Sequence, residues 1–206
     1  MPNQLQDPGF SKPAPADAPI HPLLRERWSP RAFSGEPLER DELLTLFEAG
    51  RWAPSAFNEQ PWSFVLAQCD EGEAFDRILG CLSAGNQVWA SRAAVLAIGV
   101  ARRDLKARPE PNRTAQYDLG QCVAHLTVQA SALGIAVHQM AGFDIARTRS
   151  VLAIPEGQDP VVAVALGRPG DAASLPDAVR QKDAAPRVRK PLAEFVFSGE
   201  WARTAW

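Results

Sequence analysis

A run of nine small apolar residues, AAVLAIGVA at positions 93–101, constrains the fold more than any other feature of the chain. Its length suits a strand and falls far short of the roughly 20 residues that a membrane-spanning helix needs. Apolar and polar residues do not alternate along it, which is typical of a strand covered on both faces. We therefore expect a layered fold with this strand in the middle of a sheet.

Helix and strand patterns alternate on both sides of this run. Residues 40–52 and 115–133 place apolar side chains three and four positions apart, which predicts two amphipathic helices. The stripe of the second helix must face a core or a partner, and Gly134 is suited to a left-handed cap behind it. The pattern indicates an α+β or α/β class. Further strands are predicted at 62–68, 135–140 and 160–166, with one more extended segment at 192–197.

Three segments are predicted to lack regular structure. Residues 1–22 contain six prolines and few large apolar groups, so we expect a Pro-rich flexible tail, followed by a single domain over residues 23–206. Residues 102–113 indicate a mobile loop, and residues 167–186 a long surface connection. The tail has neither the basic nor the apolar region of a signal peptide.

Composition excludes several classes of protein and site. The formal net charge of −2 gives no reason to expect a nucleic acid or an anionic membrane as a partner. Three cysteines without a CxxC pair favour reduced thiols and a cytoplasmic location. The three histidines are far apart and predict no metal site, and His125 and His138 are interpreted as structural. There is no P-loop, no GxSxG and no GxGxxG after a strand.

Two arginine clusters lie about 160 positions apart. Arg27 and Arg31 bracket RWSPR with Ser29 between them, and Arg187 and Arg189 form RVR. Arginine is the residue of choice for two-pronged phosphate recognition. The clusters are candidates to converge on one dianionic phosphate, although a solvated charged surface explains either cluster alone.

Five motifs in a fixed order resemble the nitroreductase family. The most specific is RWAPSAFNEQPW, which is similar to the family's Ala-Pro-Ser-x-x-Asn-x-Gln-Pro-Trp stretch. The resemblance covers roughly residues 20–200. The matching segments are RWSPRAF at 27–33, RWAPSAFNEQPWSFVLA at 51–67, GNQVWASRAAVLAIG at 85–99, ALGIAVHQMAGFD at 132–144 and PRVRKPLAEFVF at 186–197.

The resemblance implies an α+β fold with a mixed, mainly antiparallel central sheet flanked by helices, in an intertwined homodimer that binds FMN. It assigns the FMN phosphate to Arg27, Ser29, Arg187 and Arg189, with Trp28 beside them. It places Arg31 near flavin N1 and O2, and amides along the pyrimidine edge. The remaining assigned residues are Pro54, Ser55 and Ala56 from the second subunit, the amides Asn58, Gln60 and Asn86, and the turn Gln139, Met140, Ala141 and Gly142.

The implied activity is electron transfer from NADH or NADPH, through flavin N5, to small organic acceptors such as nitroaromatics or quinones. No protein acid or base is required, so no catalytic residue is assigned. The helix at 115–133 would form the core of the dimer interface. Three alternatives remain: a flavin enzyme of the same fold with other reductive chemistry, a non-catalytic FMN-binding protein, and a helical interaction module without a cofactor.

Overall fold

The computed structural model describes residues 11–107 and 110–205 and contains one four-stranded sheet in that part of the chain. The strands are β1 (Trp62–Gln68), β2 (Val95–Arg102), β3 (Ala136–Met140) and β4 (Gln158–Gly167), in the order β1-β2-β4-β3. All three ladders are antiparallel. The α+β class and the mainly antiparallel sheet are confirmed, and strands β1 and β3 form the two edges.

Strand β2 is covered on both faces, as its apolar run predicts. Leu96, Ile98 and Val100 pack in one hydrophobic cluster, while Val95 and Ala97 pack in the other. Helix α3 (Glu73–Leu79) covers the first face next to β1 and β2, and helices α2 (Arg40–Arg51) and α5 (Ala115–Ala132) pack together on the second face. The core therefore consists of two layers of side chains with the sheet between them.

Helix α5 corrects the prediction of an apolar interface core. Its stripe of Leu119, Val123, Leu126 and Ala130 is buried against α2 and the sheet of the same chain. The stripe faces a core because α2 supplies the covering surface, so it is not available to a partner. Gly134 has φ +68° and confirms the predicted left-handed cap.

One loop prediction and one prediction of an extended segment are also wrong. Residues 167–186 contain helix α7 (Asp177–Ala184), which has an acid in its first turn and a lysine in its last, as the helix dipole favours. Residues 192–194 form a 3₁₀ turn rather than an extended segment, because the N–H groups of Glu194 and Phe195 bond the nearby carbonyls of Pro191 and Leu192.

Three short helices complete the fold: α1 (Pro22–Glu26), α4 (Ala84–Ala90) and α6 (Ile145–Val151). They were not predicted from the sequence, since each is too short to show helical periodicity. In the described residues no helix is long and apolar enough to cross a membrane.

Residues 12–14 lie beside Arg25 and Arg187. Residues 1–10 of the predicted tail, and Arg108 and Pro109 of the predicted loop, lie outside the described residues. The backbone of Ala14 bonds Arg25, and Lys12 O accepts a hydrogen bond from Arg187 at 2.7 Å. The segment after residue 10 therefore lies across both arginine clusters.

Candidate functional site

A cavity of about 720 Å³ lies between residues 14–27 and residues 187–195, and three of the four predicted phosphate residues line it. Arg27, Arg187 and Arg189 line it together with Lys190, and Asp17 is the single acid among its lining residues. Ser29 accepts a hydrogen bond from Nη1 of Arg27 at 3.2 Å. The structure thus brings together two clusters that are distant in the sequence.

The arginines of this cavity repel one another. The pKa of Arg27 is lowered by burial first, and then by the charges of Arg187 and Arg189. The pKa of Arg187 is likewise lowered by burial and by Arg189, while Glu26 acts in the opposite direction. An anion in the cavity would relieve this repulsion, so the electrostatics favour a negatively charged ligand.

Arg31 is not among the residues that line this cavity, and it is held by Asp183 of helix α7. Its Nη1 donates to one oxygen of Asp183 at 2.7 Å, and its backbone N–H donates to the other oxygen at 2.7 Å. The guanidinium lies over the ring of Trp89, 5.9 Å from the centroid. Arg31 is therefore fixed between α7 and the core.

His138 on β3 fastens the segment of residues 27–31 to the sheet edge. Its Nδ1 lies 2.9 Å from the carbonyl oxygen of Pro30, and its ring is 4.5 Å from that of Trp89. Burial lowers the pKa of His138, with Arg31 adding to the effect and the Pro30 contact opposing it. The neutral form is favoured, in agreement with a structural role.

The turn after β3 packs against Asn86. Nδ2 of Asn86 donates to the carbonyl of Gly142 at 3.0 Å. A Cβ at Gly142 would lie 2.8 Å from that nitrogen and 2.9 Å from Oγ of Ser83. The glycine is thus required by contacts inside the chain. Met140 is buried in the core, whereas Gln139 and Ala141 are exposed.

The loop of residues 54–60 carries the remaining predicted residues and has an unusual backbone. Phe57, Asn58 and Gln60 have φ of 53°, 54° and 46°. Such conformations are costly for residues with side chains and cluster at functional sites. Phe57 is 83% exposed, although it is a large aromatic residue.

Local hydrogen bonds hold this loop against the start of α5. The buried carboxylate of Asp118 accepts from the N–H of Ala56 at 3.2 Å, and Nε2 of Gln121 donates to the carbonyl of Pro54 at 3.4 Å. Oγ of Ser55 accepts from the N–H of Gln60 at 3.0 Å. The strained backbone is therefore maintained by contacts on both sides.

The predicted residues fall into two groups at opposite edges of the sheet. The segment of residues 27–31, Asn86 and the turn at 139–142 lie at edge strand β3, whereas the loop of residues 54–60 leads into edge strand β1. Strands β2 and β4 lie between the edges, which puts roughly 14 Å between them at about 4.8 Å per strand. The two groups therefore lie at different edges of the sheet within one chain.

Three residues next to these groups were missed by the sequence analysis. Asp183 binds Arg31, Asp118 binds the loop, and Lys12 lies over the ring of Trp28 at 5.0 Å from its centroid. Asp118 occupies an inward position of α5, where the other inward residues are mostly apolar. An acid at such a position is the one sequence feature that could have indicated a buried contact. Asp183 and Lys12 lie in segments of low complexity that carry no such signal.

Arg92 is held within the chain, whereas Tyr117 is exposed. Arg92, just after α4, donates to the carbonyl of Ser34 at 3.2 Å. Tyr117 is 70% exposed at the start of α5, on the same helix as Asp118. Within residues 11–107 and 110–205 no group of histidine, cysteine and acidic residues is arranged to bind a metal ion.

The chain is similar to known proteins over most of its length. A solved oxidoreductase containing FMN is 37% identical, with a TM-score of 0.86, and the match covers 92% of this chain and 96% of that one. A putative NADH dehydrogenase/NAD(P)H nitroreductase of Streptomyces griseus is 25% identical, with 77% and 89% covered.

A second solved structure shows the same fold at lower identity. A nitroreductase family protein from Clostridium difficile is 19% identical, with a TM-score of 0.67 and coverage of 86% of this chain and 96% of that one. The sequence profile of the nitroreductase family matches residues 24–87 and 81–168. These likenesses show that the chain belongs to the nitroreductase family.

Proposed function

We propose that this protein is an FMN-dependent oxidoreductase that passes electrons from NADH or NADPH to small organic acceptors such as nitroaromatics or quinones. One site would serve the donor and the acceptor in turn. The proposal rests above all on the cavity that collects Arg27, Arg187 and Arg189. The oxidoreductase containing FMN and the Streptomyces relative, both matched over most of the chain, support the choice of cofactor and donor.

The donors of the cavity fit a phosphate group. Guanidinium groups bind phosphate oxygens through paired hydrogen bonds, and a hydroxyl adds a further donor. Arg27, Arg187, Arg189 and Ser29 are these groups. The pKa of Arg27 is lowered by burial and then by the charges of Arg187 and Arg189, and the dianion would offset that repulsion. The residues present therefore fit the phosphate end of FMN.

The residues beside the cavity fit the ring of the cofactor. When bound, FMN supplies the two-electron redox chemistry, and the protein supplies binding and orientation. Arg31 would place positive charge near the pyrimidine edge, and Asn86 with the turn at 139–142 would face the same edge. Because Asn86 already bonds Gly142, this part of the site is organised before a ligand binds.

We further propose a homodimer in which the second copy completes the site. The loop of residues 54–60 lies at the opposite sheet edge from the arginines, so a copy of the chain would supply Pro54, Ser55, Ala56, Asn58 and Gln60. The outer face of α5 would form the contact surface, since Gly120 and Ala124 are small and exposed there. Cys69, Cys81 and Cys122 are unpaired, which suits the cytoplasm.

The visible spectrum of the purified protein tests the cofactor and the donor together. We expect flavin absorption that bleaches when NADH or NADPH is added without oxygen, and that returns when a quinone or nitroaromatic compound follows. Flavin that no nicotinamide bleaches would indicate a binding protein. No flavin, even after FMN is added, would refute the assignment of the cavity.

Mixed dimers test the shared site. Arg27→Ala and Asn58→Ala subunits, each with a different affinity tag, are produced separately and together. Each variant alone should bind FMN weakly, whereas the mixed dimer contains one site with both Arg27 and Asn58 and should recover half of the wild-type stoichiometry. Recovery of none, or a monomer by light scattering, would contradict the shared site.

A further inference from the structure

We propose that Asp183 is a positioning residue for the cofactor: it fixes the guanidinium of Arg31 at the flavin edge and offsets part of its positive charge. The proposal rests on the proposed function, because it concerns a flavin bound beside Arg31. It gives helix α7 a role in cofactor binding, although the sequence of this segment predicts only a surface connection.

Asp183 holds Arg31 at two points. One carboxylate oxygen accepts from the side-chain Nη1 and the other from the backbone N–H, both at 2.7 Å. A single carboxylate thus fixes both the main chain and the direction of the side chain. Charge-assisted hydrogen bonds of this kind are short and strong, so the guanidinium has little freedom to turn.

The contact leaves donors of Arg31 available. In the described part of the chain, Asp183 is the single hydrogen-bond partner of the Arg31 side chain, and it uses Nη1. Nε and Nη2 have no protein acceptor among those residues, although the side chain is only 27% exposed. A half-buried guanidinium with two unused nitrogens is suited to bind acceptor atoms of a ligand.

The position of Asp183 within α7 is unfavourable for the helix itself. It lies in the last turn of the helix Asp177–Ala184, where the helix dipole disfavours a negative charge. Its side chain is 7% exposed, so the charge is also desolvated. Arg31 compensates for both costs, and so does Lys12, whose ammonium group bonds the backbone carbonyl of Asp183. The residue is therefore placed for its tertiary contacts.

The charge of Asp183 bears on the redox potential of a flavin. A cation near N1 and O2 favours the reduced cofactor, which carries negative charge there, and a carboxylate next to that cation weakens the effect. Asp183 would therefore keep the potential lower than Arg31 alone would set it, while keeping Arg31 in place.

Two variants separate charge from position. Asp183→Asn removes the charge and keeps the size, and Asp183→Glu keeps the charge but moves the carboxylate. Asp177→Asn is the matched control, since it removes a charge from the same helix at an exposed pair with Arg180. The readouts are the potential of the bound flavin, measured against a reference dye at neutral pH, and the FMN dissociation constant in both redox states.

In Asp183→Asn the potential should become more positive, with binding of reduced FMN gaining about three- to tenfold over binding of oxidised FMN. A tenfold gain corresponds to about 30 mV for a two-electron couple. Asp183→Glu should keep the potential but bind FMN several-fold more weakly. Asp177→Asn should change neither quantity.

The outcomes distinguish the two proposals. If wild-type protein binds no FMN, the proposed function and this inference both fail. If it binds FMN but Asp183→Asn leaves the potential unchanged while lowering thermal stability, Asp183 is merely structural and this inference alone fails. Should Asp183→Asn not fold, Asp183→Glu with wild-type FMN affinity would overturn the positioning role.

Discussion

The two edges of the sheet carry different kinds of candidate site. At the β3 edge, arginines from distant parts of the chain converge on a cavity and are held by long-range contacts such as those of Asp183 and Arg187. At the β1 edge, the loop of residues 54–60 is a single local segment with a strained backbone and an exposed aromatic residue. The β3 edge supplies positive charge that suits an anionic ligand, and the β1 edge supplies the side-chain amides of Asn58 and Gln60.

The stability of the chain alone explains the residues of neither edge. Burial, and then the charges of neighbouring arginines, lower the pKa of Arg27 and of Arg187, and left-handed residues other than glycine raise the energy of the loop. Such costs are typical of residues retained for a ligand. In the proposed dimer both costs are offset at one place, where the loop of one copy meets the arginines of the other.

Replacing Arg27 should have the largest effect on FMN affinity, and it tests the assignment of the phosphate site to the β3 edge. We expect Arg27→Ala to raise the FMN dissociation constant roughly 10- to 150-fold, since hydrogen bonds to charged groups are worth about 1.5–3 kcal/mol. Equilibrium dialysis measures this. Arg180→Ala, an exposed arginine of α7 that pairs with Asp177, is the control. Equal affinity in both variants would contradict the phosphate assignment.

Replacing Asp118 tests the β1 edge. Asp118→Ala removes the acceptor for the N–H of Ala56 and for the hydroxyl of Thr114, so the free energy of unfolding should fall by about 1–3 kcal/mol. FMN affinity should fall as well, because the loop is released. Urea denaturation and FMN titration measure the two effects. Lower stability with unchanged affinity would show that the loop does not contribute to the site.

A methyl group at Gly142 tests how closely the turn after β3 packs against Asn86 and Ser83. Gly142→Ala should lower the free energy of unfolding by about 1–2 kcal/mol, because its Cβ would contact Asn86 and Ser83 within 3 Å. Gly85→Ala is the control: it lies in α4 with nothing within 4 Å, and should raise stability by about 0.5–1 kcal/mol. Equal behaviour of the two variants would contradict the close packing.

The smallest effect concerns His138, which joins the β3 edge to Pro30. Burial lowers its pKa below the ordinary 6.5, so the unfolded chain binds the proton more tightly. The stabilisation that neutral His138 contributes is complete above about pH 6.5. It is lost as the pH falls from there through the pKa of His138 in the folded state, and the free energy of unfolding changes by less than about 1.4 kcal/mol per pH unit. Urea denaturation at several pH values should show this slope in wild type and not in His138→Gln. A slope that persists would assign it to another group.

The sequence was sufficient for features that depend on local pattern or on motif order. The apolar run predicts β2, and the Gly134 cap ends α5 as expected. It was insufficient where a tertiary partner decides the outcome. The stripe of α5 has the same pattern whether it faces α2 or another chain, and only the packing of α2 settles that. No apolar periodicity around Asp183 indicates its contact with Arg31. That contact forms only because the fold brings together two positions that are 152 residues apart in the sequence.

The contact between Lys12 and Arg187 has a consequence for the order of folding. It closes a loop of 175 residues, and long loops are entropically costly to close before the remaining structure has formed. The arginine cavity should therefore assemble after the rate-limiting step of folding. An anion that binds there would slow unfolding and leave the folding rate nearly unchanged. Bound cofactor would therefore lengthen the lifetime of the folded state without speeding its formation.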